Sequence, residues 1–146
     1  MDTLMENGRQ LFLEKKLQIR FSETDMMGVV WHGAYPLYLE DAREAFGARY
    51  GLSYQRYIEE NILVPIVELD MKYRRPLIYG MTPVVRITYR PTDAAKIIFD
   101  YSIYDPETGT EFLSARSVQV FMDRDHNLMW DSPEFYSQWK KKMESE

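Results

Sequence analysis

The chain has 146 residues and a mass of 17.4 kDa, which fits one domain, and we expect that domain to span residues 1–146. Its net charge of −5 argues against a general nucleic-acid-binding protein, which would present a basic surface. The absence of cysteine excludes disulfides, thiol nucleophiles and cysteine-based zinc sites. No apolar stretch approaches the length of a membrane span and the first ten residues do not resemble a secretion signal, so we expect a cytoplasmic protein.

The first elements in chain order are a strand, a long helix and a short helix. Residues 1–12 are polar and are expected to be frayed or to form a short helix. An apolar–polar alternation predicts the first strand over roughly Lys15–Phe21. Apolar residues at three- and four-residue spacing predict a long helix near Tyr35–Tyr50. Ser53 is a suitable N-cap for a second, short helix over Tyr54–Asn61.

The second half of the chain has the two-residue period of strands. Alternation and turn residues predict one strand from Leu63 to Tyr73, one around Val85–Tyr89, one around Ile97–Ile103 and one over Glu111–Asp123. A serine–proline–acid sequence beginning at Ser132 predicts a terminal helix. One long helix followed by an antiparallel meander indicates an α+β domain in which a curled sheet of about five strands packs on that helix. Because 14% of the residues are aromatic, we also expect self-association.

Asp25 is the first candidate for chemistry, in the loop between the first strand and the long helix. Its simplest interpretation is a turn cap, a common use of aspartate. However, the residues that follow it are large and apolar, and a carboxylate desolvated by such neighbours would be more reactive as a base or nucleophile. Gly28 would permit a positive φ or the close approach of a ligand. Both interpretations of Asp25 stay open on these grounds.

His32 is one of only two histidines and directly precedes the long helix. It is either a structural imidazole or a ligand contact, and its backbone N–H near the helix start could polarise a carbonyl oxygen. His126 falls in a predicted turn and is expected to be solvated. Two separated histidines, with no carboxylate at close helical spacing, are weak evidence for a metal site, so we expect no metal and no cofactor.

Several other charged residues have both a structural and a functional interpretation. Glu40 on the long helix is a backup catalytic carboxylate, although pairing with Arg43 on a solvated face is the simpler interpretation. Arg74 and Arg75 belong to a basic set in an otherwise acidic chain. They are either charges on a strand face or guanidinium groups that hold phosphates at the mouth of a groove.

The segment from Glu23 to Tyr35, ETDMMGVVWHGAY, resembles the signature of hot-dog-fold acyl-CoA thioesterases of the 4-hydroxybenzoyl-CoA thioesterase type. Further matches include Glu40-Asp41-Ala42-Arg43, the segment from Leu63 to Glu68, and the turn from Tyr73 to Gly80. The resemblance covers about Lys16 to Phe121. It implies a hot-dog fold, in which an antiparallel sheet wraps round the long helix. It also implies a homodimer or homotetramer with active sites at the dimer interface.

By the match to this motif, Asp25 would be the catalytic carboxylate and the backbone N–H of His32 the oxyanion donor. The residues expected to contact substrate are Gly28, Trp31, Tyr35, Arg74 and Arg75. The implied substrate is acyl-CoA or an acyl group on acyl carrier protein. The chain departs from the family pattern at Phe21, where several members carry a tyrosine, and at Ala34, where an asparagine or serine is usual. These departures favour the rival hypothesis of a non-catalytic module that binds acyl groups.

Overall fold

The computed structural model describes residues 10–145, and these form one antiparallel sheet with three α-helices. Two short 3₁₀ turns, Phe21–Glu23 and His32–Ala34, precede the first helix. In chain order the elements are β1 (Phe12–Lys16), α1 (Tyr35–Tyr50), α2 (Tyr54–Glu59), β2 (Ile66–Tyr73), β3 (Val84–Arg90), β4 (Lys96–Tyr104), β5 (Glu111–Val120) and α3 (Glu134–Ser145).

The sheet has the strand order β1-β3-β4-β5-β2, so β1 and β2 form its two edges. The apolar residues of β4 alternate as predicted, since Ile97, Phe99, Tyr101 and Ile103 are buried while their neighbours are partly exposed. The buried side of the sheet and the buried face of α1 form a common core. The α+β class predicted from the sequence, an antiparallel sheet of five strands against one long helix, is therefore confirmed.

Helix α1 occupies the residues predicted for the long helix. It ends at Gly51, whose φ of +100° places it in the left-handed region, and the Gly51 N–H donates to the carbonyl of Gly47 at 2.7 Å. A glycine is suited to that position because it has no Cβ to clash there. Helix α3 packs on the C-terminal end of α1, where the Trp139 indole N–H donates to the Tyr50 carbonyl at 2.7 Å.

The predicted bounds of the first strand are wrong. The strand lies at Phe12–Lys16 rather than Lys15–Phe21. Leu17 and Ile19 are buried as the alternation suggested, but after the Leu17 N–H has bonded to the Pro83 carbonyl the chain leaves β3. Phe21 is 72% exposed and begins a 3₁₀ turn.

Other predicted bounds differ by a few residues. The last strand ends at Val120 rather than Asp123, and Met122 makes only isolated bridges beyond it. The short helix ends at Glu59, before Asn61, which has a φ of 60°. Its predicted cap is confirmed, because the Ser53 hydroxyl accepts from the Arg56 N–H at 3.2 Å.

Residues 1–9 lie outside the described part of the chain, so the expectation for residues 1–12 applies only to its last three members. Of these, Leu11 is buried and Phe12 begins β1. None of the helices within residues 10–145 combines the length and the apolar character that crossing a bilayer requires.

Candidate active site

The loop before α1 folds into a tight hairpin over residues 23–31, which we call the site hairpin. Thr24 and Val30 form an antiparallel bridge, and the Trp31 N–H donates to the Glu23 carbonyl at 2.9 Å. At the turn, Gly28 has a φ of +76°, and its N–H donates to the Asp25 carbonyl at 3.0 Å. A positive φ is unfavourable for other L-residues, so glycine suits this turn.

The site hairpin is anchored to the segment that follows β2. The Val30 N–H donates to the Leu77 carbonyl at 2.8 Å, and the Tyr79 N–H donates to the Gly28 carbonyl at 2.8 Å. Val29 also forms a bridge with Ile78. Backbone hydrogen bonds to this segment therefore hold one edge of the hairpin.

The Asp25 carboxylate lies at the turn of the hairpin. Its Oδ1 accepts from the backbone N–H of Met27 at 2.8 Å and of Val29 at 3.1 Å. The turn-cap interpretation of Asp25 is thus correct as a description of Oδ1. Its Oδ2 accepts no hydrogen bond within residues 10–145, so this oxygen is available to a water or a thioester.

Asp25 is not desolvated by its apolar neighbours, contrary to the expectation from the sequence. Asp25 is exposed, and Met26 and Met27 point into solvent with exposed fractions of 103% and 80%. The turn geometry explains this result, because the hairpin projects these side chains away from the core. In the single chain these apolar side chains therefore leave the carboxylate uncovered.

His32 begins the 3₁₀ turn that leads into α1. Its backbone N–H and that of Gly33 donate to no acceptor within residues 10–145. Ala34, the N-cap of α1, supplies no side-chain hydrogen bond, and Pro36 in the first turn has no N–H. The start of α1 consequently offers free donors at the positive end of the helix dipole.

The carboxylate and these donors are close in the chain. Val29 contacts the Asp25 carboxylate, and His32 lies only three residues further on. An extended chain spans at most about 3.6 Å per residue, so the Cα atoms of Val29 and His32 are at most about 11 Å apart. The carboxylate and the donors therefore lie in the same region of the protein surface.

Trp31 and Gly33 form a close contact beside His32. The Trp31 indole centroid is 5.1 Å from the His32 ring, and a Cβ built on Gly33 would lie 2.2 Å from an indole carbon. Gly33 thus allows the indole to lie flat across the first turn before α1. The indole is 57% exposed, so its predicted contact with the substrate stays a prediction that its position permits.

Tyr35 is a core residue in the single chain rather than an open substrate contact. Its side chain is 3% exposed and packs edge-on against the rings of Tyr38 and Tyr73. Burial raises the pKa of Tyr35, so the phenol stays neutral. Sequence reasoning missed Tyr73, whose hydroxyl donates to the His32 carbonyl at 3.1 Å.

Glu40 lines a cavity of about 640 Å³ between α1, α2 and the segment before β2. The expected ion pair between Glu40 and Arg43 is not formed. Arg43 instead turns inward, and its Nη1 donates to the Tyr101 hydroxyl at 3.0 Å, which in turn lies 2.6 Å from the Ser117 hydroxyl. Glu40 is left exposed at the cavity edge.

The two arginines after β2 differ in their partners. Arg74 donates to the Ser114 hydroxyl at 3.0 Å and lies 3.7 Å from a Glu111 carboxylate oxygen. The Arg75 guanidinium has no hydrogen bond or ion pair within residues 10–145. Arg75 is therefore the freer of the two to bind an anion. His126, as expected, is exposed in a turn.

A second contact that sequence reasoning missed joins the base of the site hairpin to α1. The Tyr38 hydroxyl donates to Glu23 Oε1 at 2.8 Å. The two residues are fifteen positions apart, and no local pattern connects them. The only signal in the sequence was the position of Glu23 two residues before Asp25.

Comparison with known proteins gives consistent matches. A family model described as the thioesterase-like superfamily matches residues 19–140. The Bacillus subtilis protein YneP, whose name assigns it provisionally to the acyl-CoA thioesterases, is 31% identical over 77% of this chain and 80% of its own length. The chloroplastic acyl-acyl carrier protein thioesterase ATL3 of Arabidopsis thaliana is 31% identical over 80% of this chain and 61% of its own length.

The fold has close matches among solved structures. A 1,4-dihydroxy-2-naphthoyl-CoA thioesterase from Synechocystis superposes with a TM-score of 0.77 at 20% identity, covering 88% of this chain and 94% of that protein. At this identity the likeness concerns the fold. It agrees with the hot-dog architecture predicted from the sequence.

Proposed function

Because the chain belongs to the thioesterase-like superfamily, a family of thioester hydrolases, we propose that it hydrolyses acyl-CoA with Asp25 as its catalytic carboxylate. The products are a carboxylic acid and free CoA. One observation carries the proposal: within residues 10–145, a carboxylate oxygen that accepts no hydrogen bond lies on the same hairpin that leads to the N–H groups without acceptors before α1.

The chemistry follows from these two groups. The thioester carbonyl oxygen accepts hydrogen bonds from the backbone N–H of His32 and Gly33, which stabilise the negative charge that develops there. Loss of one such donor typically lowers kcat by about 10²- to 10³-fold. The His32 imidazole, exposed beside the Trp31 indole, is also within reach of a bound ligand.

Asp25 Oδ2 has two possible roles, and both give the same products. As a general base it takes a proton from water, the hydroxide adds to the carbonyl carbon, and the CoA thiolate leaves. As a nucleophile it adds to the carbonyl carbon itself, expels the thiolate and forms an anhydride that water then hydrolyses. Oδ1 stays bonded to the backbone throughout and fixes the orientation of Oδ2.

A homodimer or homotetramer is part of this proposal. Asp25, Met26 and Met27 are exposed in the single chain, whereas thioester chemistry benefits from a site that excludes water. Edge strand β2 exposes apolar side chains, and its Tyr73 contacts the His32 carbonyl. A second copy pairing along β2 would therefore come next to the site hairpin and would cover it.

The acyl group could be carried by an acyl carrier protein instead of CoA, and this is the alternative substrate. The similarity to an acyl-acyl carrier protein thioesterase favours it. So does Arg75 of this acidic chain, because its guanidinium has no hydrogen bond or ion pair within residues 10–145. The same guanidinium would suit the phosphates of CoA. The cytoplasmic location expected from the sequence remains a prediction.

The test is thiol release from a panel of short, medium, long and aromatic acyl-CoAs, with acyl-acyl carrier protein alongside. The chain contains no cysteine, so it contributes no thiol background. The key variant is Asp25→Asn, because an asparagine oxygen still accepts from the Met27 and Val29 N–H groups and preserves the turn. Turnover should fall by at least about 10³-fold without a change in melting temperature.

Glu40→Gln is the matched control for a carboxylate outside the hairpin, and it should retain turnover. Loss of turnover in Glu40→Gln with full activity in Asp25→Asn would transfer the catalytic role to the backup carboxylate. Tight binding of acyl-CoA without turnover by the unmodified protein would instead support the non-catalytic module suggested by Phe21 and Ala34.

A further inference from the structure

We infer that Glu23 and Tyr38 form a positioning pair that fixes the site hairpin against α1 and thereby sets the distance between Asp25 and the oxyanion donors. The inference rests on the function proposed above. Neither residue would touch the reacting atoms, so both act through the groups they hold.

The pair is built from charge-assisted hydrogen bonds. Glu23 Oε1 accepts from the Tyr38 hydroxyl at 2.8 Å and from the Arg20 backbone N–H at 2.8 Å. The Tyr38 ring is 2% exposed and lies on the core face of α1, so its hydroxyl is held at a fixed height along that helix. Hydrogen bonds to an ionised acceptor are about twice as strong as neutral ones.

The position of Glu23 in the hairpin gives the pair its influence on the site. The Glu23 carbonyl accepts from the Trp31 N–H at 2.9 Å, so the two strands of the hairpin are joined at this residue. Asp25 lies two residues after Glu23, and His32 directly follows Trp31. A movement of Glu23 therefore displaces the Asp25 carboxylate relative to the start of α1, where the donors lie.

The protonated state of the Tyr38 hydroxyl favours its hydrogen bond to Glu23. Burial, and then the hydrogen bond to Glu23, raise the pKa of Tyr38 well above its ordinary value. The phenol is therefore a neutral donor throughout the working pH range. Its ring also packs against Tyr35, which packs against Tyr73, and the Tyr73 hydroxyl holds the His32 carbonyl. The two ends of the hairpin are thus linked through three tyrosines.

The test compares four variants of the full chain: Glu23→Ala, Glu23→Gln, Tyr38→Phe and the control Tyr136→Phe. Glutamine keeps an acceptor oxygen and should rescue the pair. Tyr136 is a buried tyrosine of α3 whose hydroxyl lies 2.6 Å from that of Tyr89 and does not contact the site hairpin. The Tyr136→Phe variant therefore measures how the loss of a buried hydroxyl affects stability and kcat when the hairpin is not disturbed.

Two readouts are needed: kcat and KM on the best acyl-CoA, and amide hydrogen exchange across residues 24–31. Glu23→Ala and Tyr38→Phe should lower kcat about tenfold or more, with little change in KM, and should speed exchange in the hairpin. Glu23→Gln should stay within about threefold of the unmodified kcat. Tyr136→Phe should lower the melting temperature but leave kcat and hairpin exchange unchanged.

Equal kcat values in all four variants would overturn the inference, as would an equal loss in Tyr136→Phe. If the unmodified protein turns over no thioester, the proposed function fails, and exchange alone decides this inference. Faster exchange confined to residues 24–31 in Glu23→Ala and Tyr38→Phe would then support the pair, and unchanged exchange would refute it.

Discussion

Asp100 lies on β4, on the outer face of the sheet, and its carboxylate links β4 to the neighbouring strands β3 and β5. These contacts also determine its protonation. Its carboxylate accepts from Arg90 on β3 at 2.6 Å and from Arg116 on β5 at 2.6 and 3.0 Å. Burial alone would raise the pKa of Asp100, but the hydrogen bonds from Arg116 and Arg90 outweigh burial and hold that pKa below its ordinary value.

The sign of the pH dependence follows from this lowered pKa. The pKa of Asp100 in the folded state lies below its unfolded-state pKa of about 3.9. The ionised carboxylate therefore stabilises the fold at pH values above about 3.9. This stabilisation is lost as the pH falls towards the folded-state pKa. We expect Asp100→Asn to lower the free energy of unfolding by about 1–3 kcal/mol at pH 7.

Urea unfolding at about pH 7, 5 and 3 measures this difference. The gap between the unmodified protein and Asp100→Asn should narrow below about pH 4. Asp93→Asn, at an exposed position with no ion pair within residues 10–145, is the control and should produce no gap at any pH. A gap that stayed constant down to pH 3 would contradict the argument.

At the residue scale, the sequence predicted local contacts and missed distant ones. The turn-cap role of Asp25 and the helix cap of Ser53 could be predicted because each partner lies within four residues. The contacts of Tyr38 with Glu23 and of Tyr73 with His32 span 15 and 41 residues. Such contacts depend on how elements pack, which no local pattern encodes.

At the scale of elements, Gly47 shows how packing overrides helix propensity. Glycine inside a helix is usually about 1 kcal/mol less favourable than alanine, so propensity alone predicts that Gly47→Ala stabilises α1. However, a Cβ at this position would lie 2.3 Å from the Leu52 carbonyl oxygen and 2.9 Å from the Ser53 Cα. Both atoms belong to the backbone of the short connection between α1 and α2, and Ser53 is the N-cap of α2, so they cannot move without displacing α2.

We therefore expect Gly47→Ala to lower the free energy of unfolding by about 1–3 kcal/mol, measured in urea. Ala48→Gly, at the next and exposed position of α1, is the control for propensity and should cost about 1 kcal/mol. A Gly47→Ala variant that is more stable than the unmodified protein would mean that the backbone at Leu52 and Ser53 moves at little cost.

The end of a helix or strand was predicted correctly where a local residue ends it, and wrongly where pairing with a neighbouring strand sets its length. Gly51 ends α1 through its own backbone conformation, and the predicted end was correct. The first strand was misplaced because its length is set by pairing with β3, which ends at the contact of Leu17 with Pro83. Leu17 and Ile19 alternate with polar residues because their side chains are buried, although this segment does not pair with β3 as a strand.

For the whole molecule, alternation and spacing were sufficient to predict the α+β architecture, because the core faces of β3, β4 and α1 each follow one period. The single chain nevertheless leaves apolar surface uncovered. Leu69 and Tyr73 on β2 are 38% and 48% exposed and share a face with Met71. An edge strand with exposed apolar residues is a ready template for pairing with another chain.

A second copy covering β2 would explain why Asp25 is bare in the single chain, and Leu69→Lys tests this. A lysine at the centre of the apolar face should prevent pairing and yield a monomer by sedimentation. It should also lower turnover by about tenfold or more, because the site hairpin would stay open to water. Glu68→Lys changes the adjacent, oppositely directed side chain and should leave the oligomer and its turnover intact. An unmodified protein that sediments as an active monomer would refute the paired site, and a Leu69→Lys oligomer with full turnover would place any interface away from β2.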